Sequence, residues 1–227
     1  MNNDNIQKIY STKHNSFFDK IILKKRKEIL LVLKNFLNDK IIDDVLDIGS
    51  TEDDENESSN FLIKNLGTYK NIKSISDQTI KSNLFSKVLK KSITDEFTDN
   101  EIKDFQSDLV ISNATIEHVG NFENQKKMCR NVINLSKKYF IILTPNRFHP
   151  IEFHTKLPLI HWLPRKLHRS ILKFIGFNFF AEEKNLNLCS ENDLRLMIKS
   201  IENLDFKIEK INFFFIKSNL ILIGKKV

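Results

Sequence analysis

Glycine is scarce in this chain, which holds only 5 among its 227 residues. The 2 cysteines, Cys129 and Cys189, form no Cys-x-x-Cys pair, which excludes a disulfide framework and a thiolate metal site. No apolar run is long and uncharged enough to span a membrane, and the first residues lack the basic-then-apolar pattern of a signal peptide. We therefore expect a cytoplasmic protein.

The composition is that of an ordinary globular chain. Hydrophobic residues make up 41%, and 36 basic residues against 29 acidic ones give a net charge of +7. Such a charge is compatible with nucleic acid, anionic lipid or an acidic substrate, but the lysines are scattered along the chain. The length suits one domain with a sizeable core, and we expect residues 1–227 to form it.

Apolar runs that stop at small polar residues organise the first two thirds of the chain. The first ends in Asp47-Ile48-Gly49, where a carboxylate at a strand end is costly to bury without a partner and a glycine lets the backbone approach a ligand. Together with helical patterns between them, the runs predict an open α/β sheet with a site at its carboxyl edge. The expected strands are 41–48, 72–75, 88–93, 108–112 and 139–144, and the expected helices are 16–37, 61–66 and 122–137.

The end of the chain has a different pattern. Ser190 and Asp193 resemble a capping box that begins a helix through Ile201. Two long strand patterns follow, 206–216 and 219–225. Only Lys217-Ser218 separates them, which predicts an antiparallel hairpin.

Residues 145–185 stand apart as an insertion after the fifth strand. They contain all 4 prolines, the single Trp162 and 4 of the 6 histidines. The spacing of His149, His154 and His161 fits no metal-binding pattern, so we predict no metal site. Basic and apolar residues alternate within 157–180, which favours a lid or interface and leaves peripheral membrane contact open.

This order of elements resembles the class I S-adenosylmethionine-dependent methyltransferases, in particular the type 11 and 23 groups. The resemblance implies a Rossmann-like, seven-stranded, mostly parallel sheet with a carboxyl-terminal antiparallel hairpin and a helical insertion after strand five. It also implies S-adenosyl-L-methionine as the cofactor. The segments that carry it are Val45-Leu46-Asp47-Ile48-Gly49-Ser50, residues 108–120 (DLVISNATIEHVG) and Leu143-Thr144-Pro145-Asn146-Arg147.

The same resemblance implies which residues bind the cofactor. The first turn lies under the amino-acid head group, the acid after strand two accepts from the ribose hydroxyls, and the polar residue after strand three meets the adenine. Each of two acids also has an alternative to cofactor binding: Asp77 could cap a helix, and Asp95 could occupy an ordinary loop position. Thr51 departs from the family by replacing the second glycine of the loop, and five acids crowd residues 52–57. The matching residues are Asp47, Gly49, Ser50, Asp77, Asp95 and Asn113.

The acceptor side is expected beyond strands four and five. If the acceptor is a hydroxyl, a base helps, and the candidates are His118, His149 and His154. Packing or capping is the alternative for His118. Arg147, His149, Glu152 and His154 follow strand five at the carboxyl edge and are predicted to face the substrate. The expected reaction is methyl transfer to a small-molecule or glycan-type acceptor.

Other functions fit less well. A nicotinamide enzyme needs Gly-x-Gly-x-x-Gly after strand one, where only Gly49 is present. Adenine-modifying methyltransferases of nucleic acids carry Asn/Asp-Pro-Pro-aromatic after strand four, and cytosine-C5 enzymes need a Pro-Cys nucleophile. Neither motif occurs here, so no nucleic-acid partner is expected. A non-catalytic or membrane-peripheral module with a degenerate cofactor loop stays open. The sequence fixes neither the acceptor nor the oligomeric state.

Overall fold

Seven strands form one mixed sheet at the centre of the protein. The computed structural model describes residues 16–52, 59–213 and 216–227, so most of the acidic loop lies outside the described residues. The strands are β1 (Asp44–Ile48), β2 (Asn71–Ser76), β3 (Lys87–Lys90), β4 (Ser107–Asn113), β5 (Ser136–Pro145), β6 (Leu204–Phe213) and β7 (Ile216–Lys226). Their spatial order is β3-β2-β1-β4-β5-β7-β6. Strands β1–β5 pair in parallel and β7 is antiparallel to both neighbours, which confirms the predicted fold class.

Helices cover both faces of this sheet. They are α1 (Ser16–Leu37), α2 (Phe61–Asn65), α3 (Asp99–Phe105), α4 (Phe122–Leu135), α5 (Arg165–Phe174), α6 (Asn178–Ala181) and α7 (Glu191–Ile198). Two 3₁₀ turns, Ile116–His118 and Ile160–Trp162, also occur in the described part of the chain. No helix within the described ranges is long and apolar enough to cross a membrane.

Two hydrophobic cores result because successive strand residues point to opposite faces. Leu46 and Ile48 of β1 pack with α4 and α7, while Val45 packs with α1 and α2. Cys129 is buried in the first core as a free thiol. The apolar runs of the sequence are therefore strands covered on both faces.

Several element bounds differ from the sequence prediction. Helix α3 was not predicted, although Thr98 and Glu101 form a capping box that the sequence already contains. Helix α7 ends at Ile198 rather than 201, and α4 ends at Leu135, where β5 begins at once. Strand β1 begins at Asp44 rather than 41.

The predicted hairpin turn at Lys217-Ser218 is wrong. Both residues lie within β7, and Phe213 pairs with Ile216, so the connection falls at 214–215, outside the described residues. A register shift at Ile211 leaves Ser218 buried, with its hydroxyl donating to the Ile211 carbonyl at 3.1 Å. A polar pair that looks like a turn is thus a bulge inside the ladder.

Gly224 of β7 lies directly against the ring of Phe140 on β5. A Cβ at this position would come 2.4 Å from Phe140 Cζ and 3.0 Å from the carbonyl of Asp205. Because the ring is fully buried, it cannot move away freely. We expect Gly224→Ala to lower the free energy of unfolding by about 1–3 kcal/mol, measured by urea denaturation.

The control is the same change in a Phe140→Leu background. Leucine removes the ring atoms that the new methyl would meet, so the additional cost of Gly224→Ala should shrink there. An equal cost in both backgrounds would contradict the overpacking explanation.

Candidate active site

All of the predicted cofactor residues except Asp95 lie at or next to the carboxyl ends of β1, β2 and β4. Ile48, near the end of β1, pairs with Ile75 of β2 and Ser112 of β4. The residues that follow in each strand are therefore neighbours at this edge. Asp77 follows β2 and Asn113 ends β4, and both are solvent-exposed.

Asp47 is buried beneath this edge, with only 8% of its surface exposed. The Ser50 hydroxyl donates to its carboxylate, and Ser74 Oγ donates to Ser50 Oγ at 2.8 Å. Ser76 Oγ donates to the Ser50 carbonyl at 3.0 Å, which fixes the turn. Burial raises the pKa of Asp47 to about 6, although the bond from Ser50 lowers it.

Across the described residues, no side-chain cation pairs with the Asp47 carboxylate. A buried carboxylate without a cation fits a ligand that brings its own positive charge. The ammonium of an amino-acid head group has that charge. The turn around Asp47 is therefore chemically suited to the predicted cofactor.

Gly49 allows a close backbone approach at the end of β1. Its φ is +86°, and its N–H donates to the Ile75 carbonyl at 2.9 Å. A Cβ would lie 2.2 Å from Thr115 Oγ1, whose hydroxyl donates to the Ile48 carbonyl at 3.2 Å. Only glycine fits both the dihedral angle and the space.

The Asn60 side chain bonds to the backbone of Thr51, the residue that precedes the acidic stretch 52–57. Its side-chain amide accepts from the Thr51 N–H at 3.0 Å and donates to the Thr51 carbonyl at 2.8 Å. Asn60 has φ 51°, a left-handed conformation that asparagine tolerates. The residue at the position of the missing glycine is thus held by a side chain that the sequence analysis did not single out.

Asp95 is exposed and lies beyond β3. Asn131 Nδ2 of α4 donates to the backbone carbonyls of Ile93 (2.7 Å) and Asp95 (2.9 Å). This pair of bonds ties the segment to α4 and leaves the Asp95 side chain at the surface. Its role toward an adenine ring stays a prediction.

A second polar cluster lies beside the first site. Glu117 and His118 stand on the 3₁₀ turn after β4, and His154 comes from the insertion. The two histidine Nε2 atoms are 3.2 Å apart, and His118 Nε2 is 4.0 Å from Glu117 Oε1. Thr144 Oγ1 at the end of β5 donates to Glu117 Oε2 at 3.0 Å. The two histidines are among the predicted site residues, whereas Glu117 is not.

Glu152 orients His154. Its Oε1 accepts from His154 Nδ1 at 2.6 Å, and its carboxylate also accepts from the backbone N–H groups of His154 and Thr155. Burial alone would raise the pKa of Glu152, but these bonds hold it well below its ordinary value. Burial would likewise lower the pKa of His154, yet the bond and charge of Glu152 raise it.

His118 has the opposite electrostatics. Burial and the charge of His154 lower its pKa to about 3, although its bond to the Asn185 carbonyl opposes this. That bond, 2.6 Å from Nδ1, fixes the hydrogen on Nδ1 because a carbonyl only accepts. The cluster therefore contains a neutral His118 and a proton-binding His154.

Arg147 and His149 bind the backbone of the insertion. Arg147 donates to the carbonyls of Leu163 (3.1 Å) and His161 (3.4 Å). His149 is 3% exposed, bonds through Nδ1 to the Ile151 carbonyl at 2.8 Å and stacks on Phe153. These contacts hold the insertion in shape, and an acceptor-side role for either residue stays a prediction.

Comparison with solved structures identifies the fold. Magnesium protoporphyrin IX methyltransferase of Synechocystis PCC 6803 with bound SAH matches with a TM-score of 0.55 at 14% identity, covering 99% of this chain and 93% of that one. The N-methyltransferase NodS of Bradyrhizobium japonicum WM9 matches with a TM-score of 0.51 at 11% identity, covering 92% and 98%. The small RNA methyltransferase HEN1 gives a TM-score of 0.56 at 13% identity, covering 88% and 25%. The fold is that of the class I methyltransferases, as the resemblance implied.

No protein-family model and no curated protein matches the sequence. At these low identities the solved structures establish the architecture alone. Residue roles in this chain therefore depend on its own geometry.

Asp47 makes the stability of the unliganded protein depend on pH. Its folded-state pKa of about 6 lies above the ordinary 3.8, so the folded state binds more protons between these values and stability falls as pH rises through them. Asp47→Asn should remove this fall. Relative to wild type, its free energy of unfolding should gain about 2 kcal/mol between pH 4 and pH 7.

The measurement is urea denaturation at a series of pH values. Asp77→Asn is the control, since it removes an exposed carboxylate from the same edge. If the pH profile of Asp47→Asn runs parallel to that of wild type, the Asp47 carboxylate is not the group responsible.

Proposed function

We propose that the protein is an S-adenosylmethionine-dependent methyltransferase that acts on a small-molecule or saccharide acceptor. The observation that carries this proposal is the turn at Asp47 and Gly49, which lies at the carboxyl edge of this fold. Its buried Asp47 carboxylate pairs with no side-chain cation among the described residues. Solved structures of this fold include one with bound S-adenosylmethionine and one with S-adenosylhomocysteine.

Each predicted cofactor residue has a chemical role in this proposal. Asp47, supported by Ser50, supplies negative charge to the ammonium of the head group. Asp77 offers two carboxylate oxygens to the ribose diol, and Asp95 offers an acceptor to the adenine amine. Asn113 and the Gly49 backbone line the floor. When bound, S-adenosylmethionine supplies a methyl group that the acceptor attacks opposite the sulfur, and positioning by these residues lowers the barrier.

The insertion, residues 145–185, is proposed to act as a cap on the acceptor side within the single domain 1–227. Asn187, two residues after the insertion, bonds to the segment that follows β4 and to α4. Its N–H donates to the Glu117 carbonyl at 2.7 Å, and its carbonyl accepts from Gln125 Nε2 at 2.7 Å. The names of the neighbours span a porphyrin, a toxoflavin precursor and a small RNA, so the fold does not choose the acceptor. His118, His154 and Glu152 are the polar groups that we place nearest to it.

Titration with S-adenosylmethionine tests this function directly. We expect saturable heat at one site per chain by calorimetry, and Asp77→Ala should weaken binding by about tenfold or more because it removes a charge-assisted hydrogen bond. Glu202→Gln is the matched control, since this exposed acid precedes β6 at the opposite edge of the sheet.

Absence of heat and of thermal stabilisation by S-adenosylmethionine would reject the enzyme. It would favour the alternative of a non-catalytic module with a degenerate loop.

An apolar surface on the insertion supports a second proposal, that a cytoplasmic form of the protein contacts membranes peripherally through 157–180. Leu167 and Phe174, seven residues apart and so on one face of α5, are 49% and 92% exposed. Trp162 and Ile175 are exposed beside them. By contrast, the basic side chains are largely paired within the protein, as Arg165–Asp193, Arg169–Glu183 and Lys173–Glu182.

The membrane contact therefore depends on apolar side chains more than on charge. Leu167→Asp with Phe174→Asp should reduce co-sedimentation with phosphatidylglycerol-containing vesicles more than tenfold, since two large side chains no longer enter the interface. Leu196→Asp, which changes a similarly exposed leucine on α7, serves as the control. Equal sedimentation of the double variant and wild type would end the proposal.

A further inference from the structure

The cluster of Glu117, His118 and His154 has the geometry of a metal site. One ligand atom from each residue lies within 4.8 Å of the other two. The Nε2–Nε2 distance of 3.2 Å is close to the about 3.3 Å expected for two imidazoles on one tetrahedral ion at metal–nitrogen distances of about 2.0–2.1 Å. Glu117 Oε1 lies 4.0 Å from His118 Nε2 and needs a side-chain rotation to reach the same ion.

Each histidine is oriented by a hydrogen bond at Nδ1, the ring nitrogen that does not face the cluster. The Nδ1 of His154 bonds to Glu152 and the Nδ1 of His118 to the Asn185 carbonyl, each at 2.6 Å. A bond of this kind places the hydrogen on Nδ1 and turns the lone pair of Nε2 toward the centre of the cluster. Outer-shell carboxylates and carbonyls orient histidine ligands in protein metal sites in the same way.

Glu117 supplies an independent observation. The residue is fully buried, and its Oε1 has no hydrogen-bond partner among the described residues. Its other oxygen is held by Thr144, so the orphaned Oε1 is aimed at the two imidazoles. With both Nε2 lone pairs bare, these three electron-pair donors repel in a buried space, and either a proton shared between the imidazoles or a metal ion removes that repulsion.

We propose that Glu117, His118 and His154 bind a divalent transition-metal ion of the Zn²⁺ class. Two imidazoles and one carboxylate suit Zn²⁺, Co²⁺ or Fe²⁺ better than Mg²⁺, which prefers oxygen ligands. Three protein ligands leave a coordination position open, which is typical of catalytic ions. The sequence prediction of no metal site considered spacing within the insertion, whereas this site joins the insertion to the turn after β4.

The chemical role that we assign to the ion rests on the proposed methyltransferase function. An acceptor hydroxyl bound at the open position would lose its proton to water more readily, because the ion lowers the pKa of a coordinated oxygen. The oxygen–methyl bond would then form as the sulfur–methyl bond breaks. This assigns hydroxyl-bearing molecules as the acceptor class.

The test is binding of Co²⁺ and Zn²⁺ to the full chain, purified without an affinity tag and stripped with a chelator. We expect one Co²⁺ per chain by equilibrium dialysis, visible d–d absorption of a four- or five-coordinate ion, displacement by Zn²⁺ and no displacement by equal Mg²⁺. Glu117→Gln and His154→Gln should each weaken Co²⁺ binding by about 10–100-fold, with folding checked by circular dichroism.

His168→Gln is the control, because it changes another buried histidine of the insertion. A wild-type chain that binds no Co²⁺, or binding that both ligand variants retain in full, would overturn the metal site. Because the titration contains no S-adenosylmethionine, its failure is distinct from failure of the proposed methyltransferase function.

Discussion

The close contact between Gly49 and Thr115 is the constraint on which the rest of the site depends. In this contact the Thr115 side chain, from the segment that follows β4, packs directly on the Gly49 backbone at the end of β1. That segment carries Asn113 on one side of the contact and Glu117 with His118 on the other. The proposed cofactor floor and the polar cluster are therefore placed by the same backbone approach, and a shift at Gly49 would displace both.

Two buried carboxylates lie next to this contact, and burying them costs free energy. Burial raises the pKa of both Asp47 and Glu117, so each is unfavourable as an anion in the empty protein. Hydrogen bonds from Ser50 and Thr144 offset only part of that cost. Ligands that bring positive charge would offset the rest, an ammonium at the first acid and a metal ion at the second. Groups arranged in this way favour binding at the expense of stability.

Much of the fold could be predicted from the sequence, because apolar runs ending in small polar residues mark parallel strands whichever side chains cover them. The hairpin turn could not, since a buried Ser218 in a bulge has the same polarity as an exposed turn residue. The turn at Asp47 was predicted from residues adjacent in sequence. The histidine cluster was not, because His118 and His154 are separated by 36 positions and meet only through the insertion.

The insertion orients both imidazoles of the histidine cluster. Its own residue Glu152 orients His154, while the Asn185 carbonyl at its end fixes His118 on the core. Both imidazoles therefore depend on the insertion, one for its position and the other for its tautomer. If the insertion moved as a cap, the Nε2 atoms would separate and the cluster would lose its geometry. An ion held between them would in turn favour the closed arrangement, because binding energy that exists in one conformation shifts the population toward it. If the proposed ion and cap exist, acceptor entry, ion binding and the position of the insertion would be coupled through this pair of histidines.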